Sequence, residues 1–301
     1  MELRQLRYFV TVVEEANFTR AAARLHLAQP GLSAQIRQLE RELGQQLLDR
    51  GGRSVTLTEV GAAVLPHARA ALAATERVAA TVDEFTGLLR GHVRIGCISG
   101  TANEDFDIST VLADFHDDHP QVGISLTEDT SERMLAAVRS GELDIALVGL
   151  TGAEIGDDIG VDIVLDTPVV AAVAASGPGI QDRKRAMALA ELRDHPLICL
   201  PRGTGIRGVL DRACTAAGFE PDVAFEAAAP PLLLRLAARG LGIAVVPTLT
   251  AAEAEAFGVR VRPIIEPELH GQLALAWRRD RPGSPAAKVL LGQLRIGLGG
   301  R

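Results

Sequence analysis

The spacing of apolar residues changes character once along this 301-residue chain, at Gly91. Before it, apolar side chains recur at helical intervals; after it, short β-branched runs alternate with helical stretches. A chain divided in this way reads as a helical head, with room for one small hairpin, followed by an α/β body. Composition agrees: 47% hydrophobic and 23% charged residues fit an ordinary globular protein. The longest apolar run falls far short of the ~18–20 residues of a membrane span. The opening MELRQLRYFVTVVEE carries acids and no small-residue cleavage site, so it does not read as a signal peptide. Cys97, Cys199 and Cys214 are too few and too odd for a disulfide framework, which points to a reducing cytosol and a cytoplasmic location, with no membrane partner.

In the head, Leu3, Leu6, Phe9, Val10 and Val13 give residues 3–15 one apolar helical face. Asn17 and Thr19 offer an N-cap for a short helix, Arg20–Leu25. Pro30 suits the start of a third helix that Gly44 ends. Leu32, Ile36, Leu39 and Leu43 form its expected buried face, leaving Pro30, Ser33, Ala34, Arg37, Gln38 and Arg41 outside and Gln29 at the tip. LLDRGGRSVTLT then reads as a hairpin with Arg50 and Arg53 at its tip. Two helices, a tight turn, a third helix with a polar Arg-bearing face and a basic wing are what reading a major groove requires. A plain three-helix subdomain with solvated arginines satisfies the same spacing.

Net charge is −7 overall, but residues 1–94 hold 12 Lys and Arg against 10 Asp and Glu, leaving the remaining residues at −9. A head of only +2 must rely on where its arginines stand. From Thr58 to Arg90 the chain is Ala-rich and helical, interrupted by Pro66, which should bend or break it. Leu57, Val64, Ala71, Val78 and Phe85 recur at sevens, with Val60, Ala74 and Leu88 beside them, though His67 and Thr81 interrupt the second row. The pattern fits a helix paired with another helix, or one lying on its own domain.

Beyond Gly91 the segments HVRIGCI, VGISLTE, LDIALVG, VDIVLD, TPVVAAVAA, LICL, DVAFEA, GIAVVP, VRVRPI and QLALAWR read as strands in largely parallel sheets. Ligands in such folds lie past strand ends, where helix N-termini present free N–H groups. Four clusters qualify: Ser99-Gly100-Thr101, Thr130-Ser131, Pro201-Arg202-Gly203-Thr204 and Ala227–Pro231. Their hydroxyls, with Arg202 as the cation, suit an anionic effector; Glu226 is the residue to test for a neutral or cationic one. Turns and caps explain each cluster singly.

Two motifs compete with this reading. Gly203-Thr204-Gly205-Ile206-Arg207-Gly208 has the GxGxxG form of a dinucleotide site, with Glu226 ending the next strand; it would make the chain an NAD(P)-dependent enzyme. Pro201 and Arg202 intervene between strand and glycines, so no enzyme and no cofactor are expected. His116-Asp117-Asp118-His119 has metal-like spacing, but Pro120 follows and no metal site is expected.

The stretch LRQLRYFVTVVEEANFTRAAARLHLAQPGLSAQIRQLERELGQQLLDRGGRSVTLTEVG resembles the LysR-type transcriptional regulators. It carries their Leu-x-x-Phe, Ala-Ala-x-x-Leu, Gln-Pro-x-x-Ser, Gln-x-Leu-Glu-x-x-Leu-Gly and Leu-Thr-x-x-Gly anchors. Leu48 stands where the family usually has Phe, and Ala34 where many relatives have a longer polar side chain. RSGELDIALVG and AARGLGIAVVP are similar to the same family's effector-binding domain, which is built like a periplasmic binding protein. The resemblance implies a winged helix-turn-helix at 1–58, a linker or dimerisation helix at 59–90 and an effector domain at 91–301. Within the last, one α/β subdomain would comprise about 91–165 and 268–301, the other about 166–267, with crossings near Leu165–Pro168 and Glu266–His270. It further implies a duplex DNA operator, a small-molecule effector, a homodimer or homotetramer, and RNA polymerase as a candidate partner. Gln29, Ser33 and Arg37 would meet bases with Pro30 beside them, and Arg20, Arg50 and Arg53 would meet phosphate or the minor groove. Peroxide-sensing relatives place a reactive cysteine nine residues before a second; nine before Cys214 stands Gly205, so that sensor is absent. A transporter's solute-binding protein shares the body's fold, but the DNA-reading segment opposes it.

Overall fold

The computed structural model describes residues 1–51, 54–84, 89–98, 107–175, 185–279 and 283–299, with the side chains of 76–77 and 79–84 outside that description. The chain forms two compact units, Met1–Gly91 together with Arg139–Glu142, and the remainder from His92.

The first unit contains α1 (Leu3–Glu15), α2 (Phe18–Arg24), α3 (Gln29–Leu43), the hairpin β1 (Leu48–Asp49) and β2 (Thr56–Leu57), and α4 (Glu59–Glu84). Asn17 Oδ1 accepts the N–H groups of Thr19 at 2.8 Å and Arg20 at 3.1 Å, so α2 starts two residues earlier than its cap pattern suggested. Gly44 ends α3 in the left-handed conformation at φ 70°, where a Cβ would be strained. Leu32, Ile36 and Leu39 are fully buried with Phe9, Val12 and Leu47. Truncating one of these to Ala would cost ~2–5 kcal/mol through lost transfer energy and the cavity left behind.

Leu43 departs from its expected place, being 39% exposed. The buried face turns instead at Glu40, whose Oε1 accepts the N–H groups of Leu47 and Leu48 at 3.1 and 3.2 Å. The hairpin forms as expected, Leu48 opposite Leu57 and Asp49 opposite Thr56. Thr58 caps α4, its hydroxyl accepting from Gly61 N–H at 2.9 Å. Pro66 does not break α4: the helix runs through it, forgoing one backbone hydrogen bond. Val64, Leu65, Ala68, Ala71 and Leu72 pack this helix onto the head's core, whereas Val78 is 68% exposed.

The second unit is built on a continuous mixed sheet. Its elements are β3 (Gly91–Cys97), α5 (Ile108–Asp118), β4 (Val122–Glu128), α6 (Ser131–Ser140), β5 (Ile145–Leu150), β6 (Ile159–Ala174), β7 (Met187–Ala188) and β8 (Leu197–Cys199). There follow α7 (Gly205–Ala216), β9 (Val223–Glu226), α8 (Pro230–Ala238), β10 (Ile243–Pro247), α9 (Ala251–Phe257), β11 (Val259–Ile265), β12 (His270–Arg278) and α10 (Pro285–Gly299). The sheet order is β4-β3-β5-β12-β6-β10-β8-β9, with β11 also on β6. The sheets are less parallel than the sequence suggested. β3–β5, β8–β10 and β8–β9 are parallel, but β12 runs antiparallel to β5 and β6, as do β10 and β11 to β6.

The segments VDIVLD and TPVVAAVAA, expected as separate strands, are one 16-residue strand, β6. Its first part pairs with β12 as far as Pro168 opposite His270; from Val169 onward it pairs with β10. Proline is tolerated there because its missing N–H falls where the ladder changes partner. This strand and the passage from β11 to β12 join two lobes, each with its own apolar cores.

Candidate functional site

On α3, Gln29, Pro30, Ala34, Arg37, Gln38 and Arg41 are exposed and Ser33 is half-buried. The same helix thus presents a polar cationic face directly opposite its buried Leu32, Ile36 and Leu39. A wide, open concavity of about 1170 Å³ follows this face, lined by Ala34, Arg37, Arg41, Gln45 and Gln46 among others. The other basic candidates are placed differently. Arg20 lies back on α1, donating to the Glu15 carbonyl with its Nε 3.7 Å from the Glu15 carboxylate. Arg50 donates to Glu40 Oε2 at 2.7 Å and stacks over the Phe18 ring at 5.1 Å, leaving its side chain one-third exposed. Arg53 lies outside the described residues.

In the second unit a cleft of about 410 Å³ opens between the lobes. Leu165 and Thr167 of β6, Gly271–Leu273 of β12, Thr130 before α6, and Thr204, Gly205 and Ile206 at the start of α7 line it. Ala228, Pro230, Pro247 and Thr248 close the far wall. Two of the expected effector residues, Thr130 and Thr204, therefore share one cavity. Thr204 Oγ1 donates to the Pro201 carbonyl at 2.7 Å, so its side chain leaves the first N–H groups of α7 uncapped.

The remaining candidates sit elsewhere. Ser131 is 1% exposed and accepts the Gly149 N–H at 2.9 Å, which ties α6 to β5. Arg202 is exposed and, like Gly203 and Glu226, is outside the cleft lining. Glu226 accepts from the buried Arg207 at 2.9 Å, and Arg207 also donates to Asp211 at 2.8 Å. Ser99, Gly100 and Thr101 lie outside the described residues. Sequence reasoning missed Glu128, Asp129, Thr167, Thr248 and Gln272, all of which line the cleft. Position carried a usable signal: Glu128 and Asp129 directly precede Thr130, and Thr167 falls in the expected crossing segment.

The glycine motif at 203–208 acquires a packing role. Gly203 adopts φ +85° in the turn before α7. A Cβ on Gly205 would stand 2.6 Å from the Gly149 carbonyl carbon, and one on Gly208 would stand 2.8 Å from Thr151 Cβ. These glycines let α7 lie against the end of β5, bringing one lobe's helix onto the other lobe's strand. The dinucleotide alternative loses its motif to this contact. Cys97, Cys199 and Cys214 are buried and form no disulfide, and burial pushes Cys199 up to about 12 and Cys214 up to about 11, far from a reactive thiolate. His119 ends α5 with its ring edge-on to Phe115, 4.9 Å away, and the described residues contain no group of three metal-ligating side chains. No helix among the described residues is long and apolar enough to cross a membrane.

A winged helix-turn-helix head joined to an α/β body with a ligand-sized cleft defines a DNA-binding transcription regulator with an effector-binding domain. Residues 3–62 match the family model described as a bacterial regulatory helix-turn-helix protein of the lysR family, and residues 86–298 match the LysR substrate binding domain. The chain belongs to the LysR family of transcription regulators. It is 31% identical to the transcriptional dual regulator GltC of Bacillus subtilis, over 95% of this chain and 94% of that protein. A full-length OxyR variant of Pseudomonas aeruginosa has a similar structure, with a TM-score of 0.66 at 26% identity over 98% of each chain. CbnR in complex with its target DNA shares the fold at a TM-score of 0.65 and 24% identity, over 98% of this chain and 99% of that one.

Proposed function

We propose that α3 enters the major groove of an operator, with Gln29, Pro30, Ser33 and Arg37 toward base edges, and that the inter-lobe cleft takes the effector that modulates it. The observation carrying the first part is the division of α3 into a fully buried Leu32–Ile36–Leu39 stripe and an open face bearing Arg37 and Arg41. A side chain that reaches a base edge from such a helix discriminates sequence; one that reaches phosphate positions the protein. Residues 1–58 form the reading head, 59–90 the linker and 91–301 the sensor. The exposed Val78 supports pairing of α4 with a second subunit, as homodimer or homotetramer. Regulation by contact with RNA polymerase, a cytoplasmic location and the lack of any catalytic step complete the reading.

The test is titration of the full-length protein against duplexes selected from a random pool. Arg37→Ala is expected to weaken the selected site by ~1–3 kcal/mol while leaving non-specific binding nearly unchanged. Equal loss on specific and random duplexes would remove Arg37 from base readout; parental binding by the variant would remove α3 from the groove.

A further inference from the structure

We infer, building on the reading that α3 enters the groove, that Glu14 and Glu15 restrain sequence-independent DNA binding by neutralising Arg20 and Arg24 where α2 meets the phosphate backbone. In a helix-turn-helix the first helix of the pair crosses the backbone while the second lies in the groove. Here the first helix is α2, and Arg20 and Arg24, four residues apart, share one of its faces. Both turn back to the end of α1. Arg24 Nη1 stands 2.9 Å from Glu14 Oε2 and 3.2 Å from Glu15 Oε1. Arg20 donates to the Glu15 carbonyl, and its Nε is 3.7 Å from the Glu15 carboxylate. The charges of α3 are arranged the other way. Its Glu40 is engaged by Arg50 and its Glu42 by the N-terminal ammonium, while Arg37 and Arg41 have no carboxylate partner among the described residues.

The strength of each pair is not what withholds the arginines. The side chains of Arg20 and Arg24 are 67% and 56% exposed, and ion pairs so well solvated are individually weak. A phosphate can open either pair, but the carboxylates remain. Glu14 and Glu15 are held at the end of α1, beside the arginines they face and within the ~8–10 Å over which charges act at ordinary salt. An approaching phosphate therefore meets two cations and two anions, a local sum near zero. Arg20, expected at phosphate or in the minor groove, is one part of this neutral corner. Phosphate contacts position a protein without reading sequence, and each one strengthens binding to every duplex alike. Withholding two of them lowers the affinity for arbitrary DNA, and the cations left without carboxylates on the reading helix are Arg37 and Arg41.

The experiment titrates the full-length protein against a selected duplex and a random duplex between about 50 and 200 mM salt. The double variant Glu14→Gln, Glu15→Gln is expected to bind both duplexes about tenfold tighter near 0.1 M salt. Its salt slope should steepen by ~1–2, since each phosphate neutralised adds ~0.9. A pairwise cycle separates freed arginines from a simple change of net charge. Arg20→Ala with Arg24→Ala should weaken binding about tenfold more in the double variant than in the parent. Arg4→Ala, the same kind of loss at the other end of α1, should have one effect in both backgrounds. Thermal melting shows whether each protein folds; if the double variant does not, Glu14→Gln alone, which takes from Arg24 its nearer partner, carries the test. A parental slope and affinity after removal of the acids would overturn the inference, as would a gain confined to the selected duplex. Equal effects of the arginine substitutions in both backgrounds would also overturn it, because the acids would then act through net charge alone. Arg37→Ala, titrated alongside, tests the reading beneath: parental binding by that variant removes α3 from the groove, and the inference falls with it.

Discussion

Glu40 and Arg50 form an ion pair that fastens the hairpin to α3, the carboxylate buried and the guanidinium one-third exposed. Glu40, 8% exposed, holds Arg50 at 2.7 Å with one carboxylate oxygen and the Leu47 and Leu48 N–H groups with the other. Removing the carboxylate strands two buried backbone donors, while the guanidinium keeps its contact with water. Glu40→Ala should therefore cost the head ~2–4 kcal/mol. Arg50→Ala should cost ~1–3 kcal/mol, leaving Glu40 its backbone donors. Thermal unfolding of the full-length protein checks both. If Arg50→Ala melts with the parent and alters DNA affinity alone, the pair does not stabilise the hairpin.

Two glycines in helices should respond with opposite sign to the same substitution. At Gly205 a Cβ would collide with the Gly149 backbone at 2.6 Å, and backbone cannot yield cheaply; Gly205→Ala should cost ~1–3 kcal/mol. Gly292 lies within α10 with nothing inside 4 Å of the added carbon, so Gly292→Ala should stabilise by ~0.5–1 kcal/mol through helix propensity and unfolded-chain entropy. Urea midpoints of the two variants beside the parent decide it. A neutral Gly205→Ala would mean that α7 does not need its close seat on β5.

Assembly is tested at Val78, which is 68% exposed on α4. If a second helix covers it, Val78→Glu places an unpaired charge in the seam and should weaken association by about 100-fold, roughly 3 kcal/mol. Light scattering over a dilution series should show smaller species for the variant. A parent that is monomeric throughout the series refutes the seam.

Acid sensitivity has a traceable source where the two lobes join. Hydrogen bonds from Gln272 and then His270, both at 2.7 Å, hold the Asp166 carboxyl below its usual range. A depressed carboxyl contributes stability above its unfolded value of ~3.9, and that contribution disappears as pH falls through the lower folded value. With Asp166 44% and His270 47% exposed, screening keeps the effect below ~1 kcal/mol. Asp166→Asn should narrow the stability difference between pH 5 and pH 2 by that amount, measured by urea unfolding. An unchanged difference would assign the acid response to other carboxyls.

Much of the head could be read directly from residue chemistry. Asn17 and Gly44 are local signals whose caps do not depend on distant chain, and the 4-then-3 spacing of Leu32, Ile36 and Leu39 fixes which face of α3 is buried. Glu40 could not be read so, because its inward turn depends on N–H groups that only the folded hairpin supplies. Thr167 and Pro168 looked like a break between strands; only the change of ladder partner at that point makes one strand of β6. In the cleft, Thr130 and Thr204 followed from helix starts, whereas Glu128 and Asp129 depend on which way a strand end faces. The glycine motif was legible as small residues at a helix start, but its partner, Gly149, is distant in sequence.

The shared strand also sets a timetable for synthesis. Within one lobe, Leu150 of β5 pairs with Gln272 of β12, and β6 pairs with β12 from Ile159 opposite Arg278. At ~5–20 residues per second a ribosome leaves β5 without that neighbour for on the order of ten seconds. During this interval the intervening lobe is being made while an apolar strand edge stays unpaired, a template for contact with other nascent chains. Recombinant yield should therefore respond to growth temperature and chaperone supply more than to the stability of the finished fold.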